Sequence, residues 1–414
     1  MSEWKTATID ESCEILDSQR IPINDEQRSL IPGTIPYYGA NGIQGYIGKY
    51  IFDEPLILLA EDGGNFDDYQ NRPIAYRVSG KSWVNNHAHI LKSKTLFSQD
   101  FVFYSLVHKN ITSCIKGGTR SKLNQADLKE ITFIHPTSLP EQRKIARILS
   151  TVDAVIEKTE AAIAKYKAIK SGMMRDLFTR GIDPKTGKLR PRYEDAPGLY
   201  KESELGWVPR EWEVEPLAKY LQFISYGFTN PMPETESGPY MITAANVFNG
   251  EVQLQTSRKT SINSYDLLTA KSKPIIGDVL ITKDGTLGRL GIVKNENICI
   301  NQSVAVMRFK DNCDSLFFKL LLETTLYQDR IIFDAGGSTI KHVYITKLDK
   351  MLIGCPKNIN ELNEISKIAA NINCMIENEL GLSRKYQQLK AAIMSDLLAG
   401  KVRVKYEEEK MEAV

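Results

Sequence analysis

The chain has 414 residues, of which 42% are hydrophobic and 25% are charged, and its formal net charge is +2. This length predicts two or three domains, and the composition is typical of globular proteins with enough apolar residues for more than one core. The near balance of charge excludes a protein that coats nucleic acid through bulk positive charge, whereas local clusters of Lys and Arg would still suit such a partner.

The cysteines and the apolar segments narrow the class of protein further. The six cysteines are scattered and lack the Cys-x-x-Cys spacing of zinc or redox sites. The N-terminal residues lack a signal-peptide pattern, and no apolar run approaches the roughly 18 residues needed to span a bilayer. We therefore expect a cytoplasmic protein with reduced thiols, no metal site and no membrane partner.

A first domain, rich in short strands, is predicted over residues 1–139. Residues 55–64, 72–78 and 81–91 are apolar or alternating runs bounded by Gly, Asn and Asp. A Gly-Gly turn with adjacent cations follows at 117–122; such turns suit phosphate contacts, while Asn and Arg side chains read base edges. The candidate DNA-binding residues of this domain are Arg72, Lys81, Asn85, Asn86, His87, Lys116, Arg120 and Lys122.

A long helix is predicted over residues 140–182. Its apolar residues recur in alternating steps of four and three, the heptad pattern of a coiled-coil seam, with Thr159 and Lys170 as polar interruptions. At 1.5 Å per residue such a helix is roughly 60 Å long. The predicted pairing residues are Ile145, Leu149, Val152, Ile156, Ile163, Tyr166, Met173 and Leu177.

The following segment, residues 183–206, is rich in Pro, Gly and mixed charge and is predicted to be a linker. A second strand-rich domain is predicted over residues 207–357, with strands within 277–293 and 298–309 and a second Gly-Gly turn at 336–342. Its candidate DNA-binding residues are Lys283, Thr286, Arg289, Asn301, Gln302, Lys341 and His342.

A second long helix is predicted over residues 358–402, before a charged tail at 403–414. Its heptad seam is interrupted at Glu379, Ser383 and Lys390, so we expect looser pairing there. The predicted pairing residues are Ile365, Ile372, Ile376, Tyr386, Ile393 and Leu397.

The two halves of the chain repeat at their ends and differ in their centres. The helices match without gaps at an offset of 220 residues, which aligns Tyr166 with Tyr386. The Gly-Gly turns match after a slip of one residue, whereas roughly residues 20–110 and 225–330 show no similarity that can be aligned. We expect the helices to pack as an intramolecular antiparallel coiled coil. A dimerisation coiled coil is the alternative, and the duplicated domains disfavour it.

The sequence also lacks the patterns expected of an enzyme. Residues 80–82 resemble the end of a P-loop without its opening glycine, and residues 285–291 lack the core of a dinucleotide-binding loop. His87 and His89 would lie on one side of a strand, but no third metal ligand is near them in the sequence. We therefore expect a chain without catalytic residues.

Several segments are similar to those of specificity subunits of type I restriction–modification enzymes. The first domain resembles that family in PYYGANGIQGYIGKYIFDEPLILLAEDGGN and GKSWVNNHAHIL, and the second in GDVLITKDGTLGRLGIV and ICINQSVAVMR. The central region of the family is similar to LPEQRKIARIL and to the segment from GIDPKTGKLRP to ELGWVPREWEV. The resemblance covers essentially the whole chain.

The resemblance implies an α+β fold: two strand-rich α/β target-recognition domains, related by a pseudo-two-fold axis, and two long conserved helices packed antiparallel. Each domain would read half of a split double-stranded DNA target. The helices would set the spacer and dock two methyltransferase subunits and, through them, restriction subunits.

The resemblance places the cofactors in those partners: S-adenosylmethionine in the methyltransferase subunits, ATP and Mg in the restriction subunits, and none in this chain. The source would be a bacterium or an archaeon. The alternatives are a methyltransferase or nuclease fused to a recognition domain, and a coiled-coil scaffold without DNA specificity.

Overall fold

The computed structural model describes residues 3–116, 121–336 and 341–406. The chain divides into two compact units, the first containing Met1–Ala161 and Leu380–Val414 and the second Ala162–Glu379. Each unit therefore contains one strand-rich domain and part of both long helices. No helix among the described residues is both long and apolar enough to cross a membrane.

The elements up to the first long helix are β1 (Trp4–Thr8), α1 (Ile9–Ser12), β2 (Cys13–Ile15), α2 (Asp25–Ser29), β3 (Ile35–Gly39), β4 (Gly42–Ile47), β5 (Phe52–Asp53), β6 (Leu56–Ala60), β7 (Ala75–Val78), β8 (Lys81–Val84), β9 (Ala88–Ser93), α3 (Gln99–Leu106), α4 (Gln125–Lys129), β10 (Thr132–Pro136) and α5 (Leu139–Thr179). The first unit contains two four-stranded sheets, ordered β2-β9-β6-β7 and β4-β3-β8-β5, and the antiparallel pair β1-β10. β6 (LILLA) is buried on both faces because α3 packs against one of them and the second sheet lies against the other.

The elements of the second unit, with the second long helix, are β11 (Tyr200–Ser203), β12 (Gly206–Pro209), β13 (Trp212–Pro216), β14 (Leu221–Tyr226), β15 (Thr235–Ile242), β16 (Val247–Phe248), β17 (Glu251–Val252), β18 (Arg258–Lys259), α6 (Ile262–Asp266), β19 (Val279–Thr282), β20 (Leu290–Ile292), β21 (Ile298–Ile300), β22 (Val304–Phe309), α7 (Ser315–Leu322), α8 (Thr325–Phe333), α9 (Ile345–Lys350), β23 (Leu352–Pro356) and α10 (Ile359–Leu397). They form a six-stranded sheet, β14-β22-β19-β20-β17-β16, a three-stranded sheet, β18-β15-β21, and the pairs β11-β12 and β13-β23.

The centres of the two units share one fold although their sequences could not be aligned. The order β2-β9-β6-β7 corresponds to β14-β22-β19-β20, and the parallel pair β3-β8 corresponds to β15-β21. In each unit one central strand, β6 or β19, is buried along its whole length. A buried strand requires apolar residues of suitable size but no particular residue at each position. The two units can therefore have the same fold with different sequences.

The long helices pair as predicted. In the first unit Ile145 and Leu149 of α5 share a core with Ile393 and Leu397 of α10. In the second unit Leu177, near the end of α5, shares a core with Ile365, near the start of α10. The start of one helix meets the end of the other, so they run antiparallel. The other predicted pairing residues are also buried or half-buried: Val152, Ile156, Ile163, Tyr166, Met173, Ile372, Ile376 and Tyr386.

Two of the three polar positions of the second seam, Ser383 and Lys390, lie in the first unit. Ser383 is buried, and Lys390 forms an ion pair with Asp153 of α5, with 2.6 Å between Nζ and Oδ1. The expected loosening is therefore offset at Lys390 by a charge partner on the opposite helix.

Two segments differ from expectation. Residues 183–206, predicted to be a linker, contain the buried Arg190 and the strand β11 of a two-stranded sheet, so they are part of the second unit. Arg403, predicted to lie in a charged tail, pairs with the buried Glu141, with 3.0 Å between Nε and Oε1. Each segment thus supplies a cation to a buried carboxylate.

Candidate nucleic-acid interface

Three turns of the first unit meet where β6 ends, and we call residues 61–63, 85–87 and 121–123 the first corner. Glu61 N donates to the His87 carbonyl at 2.9 Å, and Leu123 N donates to the Glu61 carbonyl at 2.7 Å. The Asn85 side chain accepts from His87 N at 2.8 Å, which fixes the turn between β8 and β9. The first corner is thus held by backbone hydrogen bonds and one Asx turn.

The second unit repeats this arrangement where β19 ends, and we call residues 283–285, 301–303 and 341–343 the second corner. Lys283 N donates to the Ser303 carbonyl at 2.8 Å, and Val343 N donates to the Lys283 carbonyl at 3.1 Å. The Asn301 side chain accepts from Ser303 N at 3.1 Å. The backbone framework is the same in both corners.

The side chains on this shared framework differ. Position 61 is Glu where its counterpart 283 is Lys, and His87 corresponds to Ser303. The turns beside them are closed by equivalent bridges, Lys116 to Lys122 and Gly336 to His342. These bridges match at the offset of 220 without the expected one-residue slip. One backbone scaffold therefore presents two sets of polar groups.

A buried charge network supports the first corner. Asp17 and His89 are bonded at 2.6 Å, the other ring nitrogen of His89 lies 2.9 Å from the Leu123 carbonyl, and Arg20 bonds Glu61 at 2.5 Å. Burial alone would raise the pKa of Asp17, but hydrogen bonds from His89 and Ile90 N and the charges of His89 and Arg20 outweigh it, so the pKa is lowered.

Asp17, Glu61 and His89 are also the one group of three possible metal ligands among the described residues. Both His89 nitrogens already face oxygen acceptors, and Glu61 also contacts Lys122 at 3.2 Å. These contacts account for the cluster as a network of ion pairs, which fixes His89 beneath the corner.

The predicted DNA-binding residues of the first unit fall into two groups. Asn86, His87 and Lys122 lie in the first corner, and Lys116 lies at its edge, paired with Asp127 at 2.7 Å. Arg72 is exposed in the turn that leads into β7, beside the end of β6.

The remaining residues of that prediction are placed differently. Lys81 lies at the opposite end of β8, with its Nζ 4.7 Å from the centre of the Tyr50 ring. Asn85 is buried and bonded to Gln44 and His87, so it shapes the turn. Arg120 lies outside the described residues.

In the second unit Lys283, Asn301, Gln302, Lys341 and His342 belong to the second corner. The Lys283 Nζ lies 4.6 Å from the centre of the Tyr226 ring, and Gln302 and Lys341 are exposed. Asn301 is used in the turn, like Asn85.

The two other predicted residues of this unit differ in position. Thr286 is exposed in the turn that follows Asp284, and its carbonyl accepts from Thr282 Oγ1 at 2.6 Å. Arg289 lies over the Phe248 ring at 5.0 Å, beside the end of α5, and so lies apart from the corner.

Sequence reasoning missed one residue in each corner. Asp62 Oδ1 bonds His87 Nδ1 at 2.8 Å, and Asp284 Oδ1 bonds His342 Nδ1 at 2.5 Å. Both aspartates directly precede a glycine with positive φ, Gly63 or Gly285. The signal was an Asp-Gly pair just after a buried strand, in LILLAEDG and VLITKDG.

Comparisons with known proteins agree with this architecture. The protein-family model of the type I restriction modification DNA specificity domain matches residues 1–166 and 209–402. A putative type I restriction enzyme specificity subunit of Haemophilus influenzae is 28% identical over 359 residues, which span 86% of this chain and 83% of that relative. The type I restriction enzyme MjaVIII specificity subunit of Methanocaldococcus jannaschii is 24% identical over 428 residues, spanning 97% and 94%.

The fold is shared with a solved structure. The crystal structure of a type I restriction–modification system S subunit from M. genitalium has a TM-score of 0.63 at 14% identity and covers 96% of both chains. The chain belongs to the type I restriction–modification DNA specificity family. Its role is that of a DNA sequence-specificity subunit, which confirms the predicted family, fold class and role.

Proposed function

We propose that the chain specifies a bipartite DNA target, with the first unit reading one half through the first corner and the second unit reading the other. The observation that carries this proposal is the pair of corners: one backbone framework, with different side chains at matching positions. Because base edges are read by side-chain donors and acceptors, such a pair suits two different half-sites.

We further propose that two copies of a methyltransferase partner dock on the long helices. Each long helix has exposed apolar residues outside the seam, Val155 and Ile169 on α5 and a stripe of Met375, Leu382 and Leu389 at steps of seven on α10. Exposed apolar residues grouped on one surface are typical of a protein–protein contact.

The grooves in the two units support a repeated partner. The first lies between the domain of its unit, the middle of α5 and the last part of α10, and the second lies between the domain of its unit and the last part of α5. The residues of the first groove Lys390, Met394 and Leu398 correspond at the offset of 220 to Lys170, Met174 and Phe178 of the second. Equivalent grooves suit two copies of one partner, which would bring S-adenosylmethionine and, through restriction subunits, ATP and Mg.

A domain exchange tests the half-site proposal. Residues 9–131 would be replaced by the matching domain of another family member, which leaves β1, β10 and both long helices unchanged. The variant would be produced with the methyltransferase partner, and its methylated sites mapped across a genome. We expect one half-site to change and the other half-site and the spacer to persist; a change in both halves would contradict the proposal.

A binding experiment addresses the alternative of a fused methyltransferase. The purified chain would be titrated with S-adenosylmethionine by calorimetry, with the methyltransferase complex as a positive control. We expect heat of binding only from the complex. A scaffold without specificity is tested by competition between random and selected duplexes, where a specificity subunit should favour its site by about 10³ or more.

A further inference from the structure

Most side chains differ between the two corners, but both corners contain an imidazole bonded through Nδ1 to the aspartate that follows the central strand. In the first corner the pair is His87 and Asp62, and in the second it is His342 and Asp284. The two histidines come from different turns, since His87 corresponds to Ser303 and His342 to Lys122. The same His–Asp pair therefore occurs in both corners, although its histidine comes from a different turn in each.

Both rings reach the surface. The His87 and His342 side chains are 35% and 36% exposed, while their aspartates are 16% and 27% exposed. A carboxylate that accepts from Nδ1–H fixes the ring plane and the tautomer. Nε2 is then an acceptor in the neutral ring and a donor in the protonated ring.

Each imidazole has neighbours suited to DNA. Asn86 and Gln302, at matching positions of the two turns, are exposed amides of the kind that pairs with adenine. Lys122 and Lys341 supply positive charge beside them. An unpaired carboxylate would repel DNA phosphates, so an aspartate kept in both corners is compatible with DNA only when a basic group pairs with it.

We propose that His87 and His342 are specificity-determining residues, each reading a base through Nε2 in its own half-site. Asp62 and Asp284 are positioning residues that act through these rings. This inference rests on the proposed function, in which each unit reads one half of the target.

The test uses the chain in complex with its methyltransferase partner. His87→Ala, His87→Gln, Asp62→Asn and His342→Ala would each be expressed with the partner, and methylated sites mapped genome-wide. We expect His87→Ala to relax one base position of one half-site, with discrimination at that base reduced roughly tenfold or more. His342→Ala should relax a position in the other half-site, with the spacer unchanged.

The positioning role of Asp62 leads to a separate expectation. Asp62→Asn should weaken discrimination at the same base as His87→Ala but less strongly, because the ring is kept while its orientation is loosened. Asp67→Asn is the matched control for Asp62→Asn: this exposed aspartate of the first unit lies outside the corner, and its substitution should leave the target sequence unchanged.

Two results would overturn the inference. The first is an unchanged target in His87→Ala and Asp62→Asn with thermal unfolding like that of the unaltered chain, since folded variants would then lack any specificity defect. The second is uniformly weaker binding to all duplexes with a smaller salt dependence, which marks a phosphate contact. If the domain exchange still changes one half-site, the inference alone fails; if it does not, the proposed function fails as well.

Discussion

Arg190 and Glu361 form a buried bidentate ion pair in the second unit, with 2.9 Å between Nη2 and Oε2 and a second bond from Nη1 to Oε1. Both residues are at most 3% exposed. Oε1 also accepts from Trp212 Nε1 at 2.9 Å and from Ile182 N at 3.1 Å. One carboxylate therefore joins the start of α10, the segment after α5 and the strand β13.

The first unit contains the counterpart of this pair. Glu141, which aligns with Glu361 at the offset of 220, is bonded to Arg403 at 3.0 and 3.2 Å. The Arg403 guanidinium lies 5.6 Å from the centre of the Trp4 ring. In each unit, then, a cation that follows one long helix neutralises a buried carboxylate at the start of the other.

Removing the charge of Glu361 should destabilise the second unit. Glu361→Gln removes the buried counter-ion of Arg190 and leaves the largely exposed Glu211, at 2.9 Å, as its charge partner. Loss of one partner of a buried ion pair typically costs about 3–5 kcal/mol. The measurement is the urea midpoint of unfolding followed by tryptophan fluorescence, to which Trp212 contributes. Glu251→Gln is the control, because its pair with Lys294 is exposed on both sides and should not shift the midpoint. Equal effects of the two substitutions would contradict this account.

In the turn after α5, alanine should be tolerated less well at Gly181 than at Gly187, although both glycines have positive φ. Gly181 and Gly187 have φ of +66° and +65°, so an alanine is strained at either position by about 1–2 kcal/mol. A Cβ at Gly181 would also overlap Glu361 Oε1 and lie 2.6 Å from the Trp212 ring, whereas at Gly187 nothing lies within 4 Å. Gly181→Ala should therefore lower the urea midpoint clearly more than Gly187→Ala; similar losses would exclude packing as the cause.

The long helices could be predicted from sequence because the heptad pattern is local: Leu149 and Leu177 are recognisable from their neighbours alone. The strand partners could not be predicted in this way. Tyr37 of β3 pairs in parallel with Trp83 of β8, far along the chain, and burial patterns do not select between possible partners.

The residues of the candidate site also differ in whether local sequence could predict them. His87 and His342 were found because exposed turns rich in Asn, Gln and cations are typical of DNA contacts. Their anchors Asp62 and Asp284 were missed because the bonds span 25 and 58 residues. The Arg190–Glu361 pair was missed for the same reason, since composition alone made its segment look like a linker.

Stability should depend on pH through Asp17. Its pKa is lowered in the fold, so its contribution is fully present above the unfolded value of about 3.8 and is lost as pH falls through the folded value. The difference in melting temperature between Asp17→Asn and the unaltered chain should be large at pH 7 and should shrink as the pH approaches 3. Asp67→Asn, an exposed control, should show no such trend. A difference that stays constant with pH would contradict the role of the Asp17 charge.

The exposed stripe on α10 provides the sharpest test of partner docking. Met375→Glu and Leu389→Glu place a charge on side chains that are 45% and 50% exposed, so the melting temperature of the chain alone should barely change. Binding of the methyltransferase partner should weaken by about tenfold or more for each, because burying an unpaired carboxylate in an apolar contact costs more than 1.4 kcal/mol.

Two controls separate docking from folding in this experiment. Glu377→Ala alters another exposed position of α10 outside the stripe and should leave partner affinity unchanged. Ile365→Glu alters a buried seam residue and should lower the melting temperature before any partner is added. Affinity measured by light scattering or calorimetry that is unaffected by both stripe substitutions would place the partner elsewhere. Loss from Leu389→Glu alone would instead limit docking to the first unit, since Met375 belongs to the second.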